Sequence, residues 1–180
     1  MSVFTNPSSA SKAQGAAYTA AILGLLGDGE PLPVLRATAD ALRAVVAGLD
    51  EQALRTPEAP GKWSVVQVLR HVADSEIVFA FRLRMMLAHD RPDVIAYDQD
   101  AWAGALRYAD ADAAEALDEF AVLRRGNLRL VERATPADLQ RVQQHPERGE
   151  ESLAHSMRMY AGHDLLHRSQ ILRIRGAIGR

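Results

Sequence analysis

His163 and His167 lie four residues apart in a segment with helical periodicity. At about 100° per residue, Leu153, Tyr160, His163, His167, Ile171 and Ile174 fall within a stripe about 80° wide. Residues four apart stand one above the other on a helix. The two imidazoles can therefore aim two nitrogens at one point, the spacing by which His-Glu-x-x-His motifs hold zinc. Two separately hydrogen-bonded core histidines, or a pair partly facing solvent, give the same pattern, and spacing alone leaves all three readings open. A metal needs at least a third ligand. The 180 residues include no cysteine, which removes disulfides, thiolate nucleophiles and sulfur ligands and leaves imidazole and carboxylate donors. Among the remaining histidines His71 is the best candidate, beside Val68, Val72, Ser75 and Val78 on the shoulder of an apolar helix face. His89 at a helix end, His145 in a loop and His155, about 80° off the stripe, are expected to face solvent. Three histidines on two helices would leave coordination positions open, which separates a catalytic metal from a structural one.

Four further residues are candidates for the surroundings of such a centre. Asp164, next to His163, could orient an imidazole, act as a base, or be exposed. Glu76 falls near the middle of the apolar face with Val72, Phe79 and Leu83, where burial demands hydrogen bonding; a structural tie is preferred over catalysis. Asn127, between Leu123 and Val131, could hold a ligand histidine or fix helix register. Tyr160, one turn before His163, lines a pocket or packs in the core. Arg125, Arg129 and Arg133 form a basic stripe that reads as a solvated face rather than a nucleic-acid contact.

The elements that must carry these residues are helices. Leu35, Leu42, Val46 and Leu49 recur at helical period over about 32–50. Ser64 and Gln67 have capping-box spacing ahead of a second helix over about 64–89, which Asp90-Arg91-Pro92 ends. Residues 93–109 have no sustained period and read as a long loop with room for a short helix. Asp112 and Glu115 open a third helix reaching about Ala134, and Thr135-Pro136 starts a short turn through Leu139. Residues 143–150, with His145-Pro146 and Gly149, read as a loop, and the fourth helix runs from Ser152 to about Arg175. Four long helices without a convincing strand or internal repeat predict an all-α four-helix bundle over 29–180, preceded by a tail and short apolar segment over 1–28, loose over the first 15 residues.

Length and composition fit one globular domain: 48% of residues are hydrophobic and 24% charged. A net charge of -2 argues against a nucleic-acid binder, and the 19 arginines against two lysines are ascribed to coding composition before function. The longest apolar run near the N-terminus, Ala16 to Leu26, is broken by Thr19 and Gly24 and is far below the ~20 residues of a membrane span. No membrane association is expected, no signal peptide is apparent, and the expected location is the cytoplasm.

The segment Trp63-Ser64-Val65-Val66-Gln67-Val68-Leu69-Arg70-His71-Val72-Ala73-Asp74-Ser75-Glu76, with Gly162-His163-Asp164-Leu165-Leu166-His167-Arg168-Ser169-Gln170-Ile171 far downstream, resembles the DinB-like superfamily of metal-binding four-helix bundles. The resemblance spans about residues 29–175 and includes Gly29-Glu30-Pro31-Leu32, Asp98-Gln99-Asp100-Ala101-Trp102 and His145-Pro146-Glu147-Arg148-Gly149. It implies that His71, His163 and His167 bind a divalent metal, nickel or zinc, and that the chain forms a homodimer. Characterised members include S-transferases and isomerases that use a low-molecular-weight thiol, mycothiol or bacillithiol, and many other members have no known reaction. The resemblance thus implies a metal-dependent enzyme with a small-molecule substrate. A small metal-dependent hydrolase, or a non-catalytic dimeric bundle in stress response, is the alternative.

Overall fold

The computed structural model describes residues 12–179, with side chains from residue 15; the expected tail before residue 12 lies outside them. Eight helices and one hairpin follow in order: α1 Lys12–Leu26, α2 Pro31–Val46, α3 Glu51–Arg55, α4 Val65–Ala88, α5 Gln99–Ala105, α6 Ala113–Val131, α7 Pro136–Leu139, β1 Val142–His145, β2 Gly149–Ser152 and α8 Leu153–Ala177. A 3₁₀ turn, Tyr108–Asp110, lies between α5 and α6. The helices α2, α4, α6 and α8 are the four long ones expected from periodicity, and they pack as the bundle.

Their starts follow local chemistry. The Ser64 backbone N–H donates to Gln67 Oε1 at 2.9 Å, Asp112 accepts from the Glu115 N–H at 2.9 Å, and Ser152 Oγ accepts from the His155 N–H at 3.1 Å. Each bond satisfies a backbone donor that a helix end leaves free. In the long connection between α4 and α6, Asp98 caps α5 by accepting from the Asp100 and Ala101 N–H groups. The Tyr108 hydroxyl donates to Asp74 Oδ2 at 2.5 Å and pins the 3₁₀ turn to α4.

Two regions depart from the sequence reading. Residues 143–150, expected as a loop, form most of an antiparallel hairpin with Val142 opposite Ser152 and His145 opposite Gly149. Gly149 takes a positive φ of 80° at the turn, and the Val94 N–H donates to the Gln144 carbonyl, joining the hairpin to the chain leaving α4. At the other end, α1 begins inside the expected loose tail and lies against α8. A Cβ at Gly162 would stand 2.3 Å from the Ile22 carbonyl oxygen, so the missing side chain allows the two backbones to touch. Ile22 is fully buried there, and Tyr18, one turn earlier, borders the same cavities as Tyr160, His163 and His167 of α8.

The bundle core is two apolar clusters with a polar layer between them. One contains Leu42, Val65, Leu69, Phe120, Ile171 and Ile174; the other contains Leu35, Phe79, Leu83, Val131, Leu153 and Met157. Each bundle helix passes from one to the other through buried polar residues: Thr38 on α2, His71 and Glu76 on α4, Arg124 and Asn127 on α6, Asp164 and His167 on α8. Among the described residues no helix is long and apolar enough to cross a membrane.

Candidate metal centre

Within that layer α4 and α8 bring His71, His163 and His167 together. His71 Nε2 lies 3.2 Å from His163 Nε2, and His167 Nε2 lies 3.0 Å from His163 Nε2. Among the described residues this is the one group of three or more acidic or imidazole ligands whose donor atoms converge, all within 4.8 Å of one another. Nitrogens bound at about 2.0–2.1 Å to one ion stand about 2.9 Å apart at right angles and about 3.4 Å apart at tetrahedral angles. The observed separations fall between these values.

The protonation chemistry also fits a cation. Burial, with the neighbouring imidazoles, holds His71 and His163 well below the usual histidine range. Burial lowers His167 to about 4, against the opposing pull of Gln170 and Asp164. All three are neutral at pH 7, with one N–H each. His167 Nδ1 lies 2.8 Å from Gln170 Oε1, an acceptor, so its proton resides on Nδ1 and its Nε2 carries a lone pair. A single proton on His163 Nε2 serves only one of its two neighbours well, whereas a cation satisfies three converging lone pairs at once. His71 Nδ1 is buried without a hydrogen-bond partner.

The triad is not sealed. A cavity of about 80 Å³ borders His163 and is lined by Tyr18, Ser75, Arg82, Tyr97, Arg148 and Tyr160, among others. A second, wider cleft of about 330 Å³ borders His167 and is lined by Glu58, Lys62, Trp63, Asp100 and Arg173; Tyr18 and Gln99 border both. A water needs only about 10–15 Å³ measured in the same way, so the smaller cavity has room for part of a small molecule. Ser75 Oγ is 3.5 Å from His71 Nε2 and 3.0 Å from the Tyr97 hydroxyl, which places two hydroxyls at the mouth of the triad.

The other sequence candidates occupy a separate cluster. Asp164 points away from the imidazoles: its Oδ2 accepts from Arg124 Nη1 at 2.6 Å and Thr38 Oγ1 at 2.8 Å, and its Oδ1 from Arg124 Nη2 at 3.1 Å. Glu76 accepts from Arg124 Nη2 and from Asn127 Nδ2, both at 2.8 Å. Asn127 Oδ1 accepts in turn from Arg84 at 2.9 Å. Burial raises the Glu76 pKa against the Arg124 charge, and burial works against Arg124, yet Asp164 and Glu76 hold its pKa above the ordinary value. Tyr160 stacks on Phe79 with ring centroids 4.1 Å apart and also faces the smaller cavity. Arg125, Arg129 and Arg133 are exposed.

Sequence reasoning did not identify Arg124, Tyr18, Arg82 or Gln170. Arg124 had a legible signal, since it lies four residues after Phe120 and three before Asn127 on the inward stripe of α6. Tyr18 had none, because its place depends on α1 docking at Gly162. His145, expected in solvent, is buried in the hairpin, where its Nδ1 accepts from the Glu147 N–H at 3.2 Å; burial lowers its pKa to about 3. His89 is exposed and His155 half-buried.

Comparison with known proteins agrees with this arrangement. A family model described as the DinB superfamily matches residues 35–171. A protein of Geobacillus thermodenitrificans, provisionally named a metal-dependent hydrolase, is 32% identical over 151 residues, covering 81% of this chain and 83% of its own length. A Bacillus licheniformis protein of the same provisional name is 33% identical over 141 residues, covering 77% and 79%. Among solved structures, YfiT from Bacillus subtilis, described as a probable metal-dependent hydrolase with an unusual four-helix bundle topology, superposes with a TM-score of 0.78 at 25% identity, covering 83% of this chain and 86% of that one. With the three-histidine centre on α4 and α8 and this match across the bundle, the chain belongs to the DinB superfamily.

Proposed function

We propose that the chain is a divalent-metal-dependent enzyme, an S-transferase that joins a low-molecular-weight thiol to an electrophilic small molecule. The observation that carries this reading is the opening of the histidine cluster onto two cavities, which a purely structural centre has no need of. His71, His163 and His167 would hold the metal, and three neutral imidazoles suit nickel or zinc. When bound, such an ion supplies an undiminished double positive charge that lowers the pKa of a thiol or water beside it.

The protein's own residues favour the thiol. Among the described residues no carboxylate lines the cavity beside His163, so none there is placed to take a proton from water. A thiol needs none, because its proton passes to solvent on ionisation. With no cysteine in the chain, the sulfur comes with the cosubstrate. In the transfer the thiol sulfur bonds to the acceptor carbon, and the leaving group departs with the electron pair of the broken bond. Tyr18, Tyr97 and Tyr160 wall the cavity and keep bulk water from the reacting atoms, and Ser75 and Tyr97 present hydroxyls to an incoming polar group.

Hydrolysis is the second reading. The provisional names of the relatives favour it, and so do Glu58 and Asp100 in the cleft beside His167, where a carboxylate could take a proton. A chloro-dinitroarene acceptor offered with a panel of low-molecular-weight thiols, and an activated ester offered without thiol, separate the two. The expected result is thiol-dependent arene conjugation in the wild type that falls at least about a hundredfold in His71→Ala. Ester cleavage without conjugation would favour hydrolysis, and full conjugation in His71→Ala would overturn the proposed centre.

A further inference from the structure

We infer that Arg82 anchors a carboxylate of the small molecule received in the cavity beside His163, so that the ligand taken there is a carboxylic acid. This rests on reading the His71, His163 and His167 cluster as the reactive centre, and it names the substrate chemistry for that centre.

Arg82 is 6% exposed and borders the cavity together with His163. Among the described residues its hydrogen bond runs from Nη2 to the Ile95 carbonyl at 2.7 Å, and none of their carboxylates is within ion-pair distance of it. Three other enclosed arginines are matched by acids, whereas the half-buried Arg141, Arg158 and Arg175, outside this cavity, bond to backbone carbonyls. Arg124 pairs with Glu76 and Asp164, Arg70 with Asp74 and Glu119, and Arg148 with Glu151. Among the described residues no neighbouring anion is left over for Arg82. Tyr97, Tyr160 and His145 lie close enough to feel its charge, and Glu151 is taken up by Arg148 and Gln143. A buried guanidinium without a counterion is costly and is kept where a ligand completes it.

The form of the missing partner follows from the fork. A guanidinium offers parallel N–H groups that match the two oxygens of a carboxylate, and one unmatched positive charge balances one carboxylate. A phosphate dianion would call for a second free cation, and Arg148 is already paired. The cavity of about 80 Å³ holds a carboxylate on a short carbon chain, with Met159 and the tyrosine rings as its apolar wall.

Butyrate and its neutral amide, butyramide, titrated calorimetrically at matched ionic strength into the full-length protein, test this directly. Measurements on protein as purified and after chelator treatment separate binding to Arg82 from binding to a metal. Chelated wild type is expected to bind butyrate and not butyramide. Arg82→Gln should bind butyrate at least about tenfold more weakly, with metal content unchanged, while Arg129→Gln on the exposed stripe matches wild type. Arg82→Lys keeps the charge and loses the fork, and it should fold and bind more weakly than wild type even if Arg82→Gln does not fold. Equal binding of the acid and amide, no butyrate binding by wild type, or wild-type affinity in Arg82→Lys would overturn the proposal. Metal analysis of the same wild-type sample reports on the histidine centre separately: a metal-free protein that still binds butyrate through Arg82 would sink that centre and leave the carboxylate site standing.

Discussion

His163 and Asp164 are neighbours in α8, and they serve two buried polar clusters built on different principles. Asp164 enters a closed cluster: all four carboxylate oxygens of Asp164 and Glu76 accept hydrogen bonds, and the Arg124, Glu76 and Asp164 side chains are each no more than 3% exposed. Only Arg124 Nε lacks a partner there. His163 enters an open cluster, in which three like nitrogens face one another, His71 Nδ1 has no partner, and two cavities reach the ring edges. Closure ties α2, α4, α6 and α8 together and leaves nothing for a ligand to add. Openness leaves lone pairs that a cation would satisfy. Burial of polar groups is common to both, so burial alone does not distinguish a structural cluster from a reactive one; the balance of donors and acceptors does.

Breaking the closed cluster should have the largest effect on stability. Arg124→Ala leaves two buried carboxylates unmatched and is expected to cost about 3–5 kcal/mol in urea denaturation. Neutralising all three partners together, with Arg124→Met, Glu76→Gln and Asp164→Asn, should cost far less, because no charge is then stranded. Metal content per folded chain should be the same in both.

Acid should act mainly on the open cluster. The His167 pKa is about 4 in the folded chain against an ordinary value of 6.5. The unfolded chain therefore takes up the proton first, and the stability this residue contributes is complete above pH 6.5 and lost as pH falls toward 4. Fully developed, that loss is about 3 kcal/mol, and His71 and His163 add to it in the same direction. Denaturant midpoints of chelator-treated protein between pH 7.5 and 4.5 should fall along this course, with a shallower slope in His167→Gln.

The smallest expected effect concerns orientation. Gln170 fixes the His167 tautomer, so Gln170→Ala should weaken metal affinity about tenfold in a competition titration and leave denaturant stability nearly unchanged.

The bundle helices and the three histidines were legible because burial imposes one period over long segments, and His71, His163 and His167 stand on those periodic faces. The hairpin was not. Its strands carry Gln143, Gln144, Glu150 and Glu151, which show no apolar alternation, and it exists through pairing with a partner four or more residues away. Arg124 is legible only through its position on the inward stripe with Phe120 and Asn127, because its charge by itself favours solvent; its guanidinium carbon lies 4.6 Å from the Phe120 ring centroid. Tyr18 depends on a contact between α1 and Gly162 that no local pattern encodes.

Bound metal in protein purified without chelator, measured by inductively coupled plasma mass spectrometry for wild type and His163→Ala, tests the open cluster most directly. His163 Nε2 is the atom within 3.2 Å of both other ligand nitrogens, so its removal leaves at most two donors. About one divalent ion per wild-type chain, lost in a folded His163→Ala protein, is the expected result. A metal-free wild type, or a His163→Ala variant that retains its ion, would contradict the assignment of His71, His163 and His167 as a metal centre.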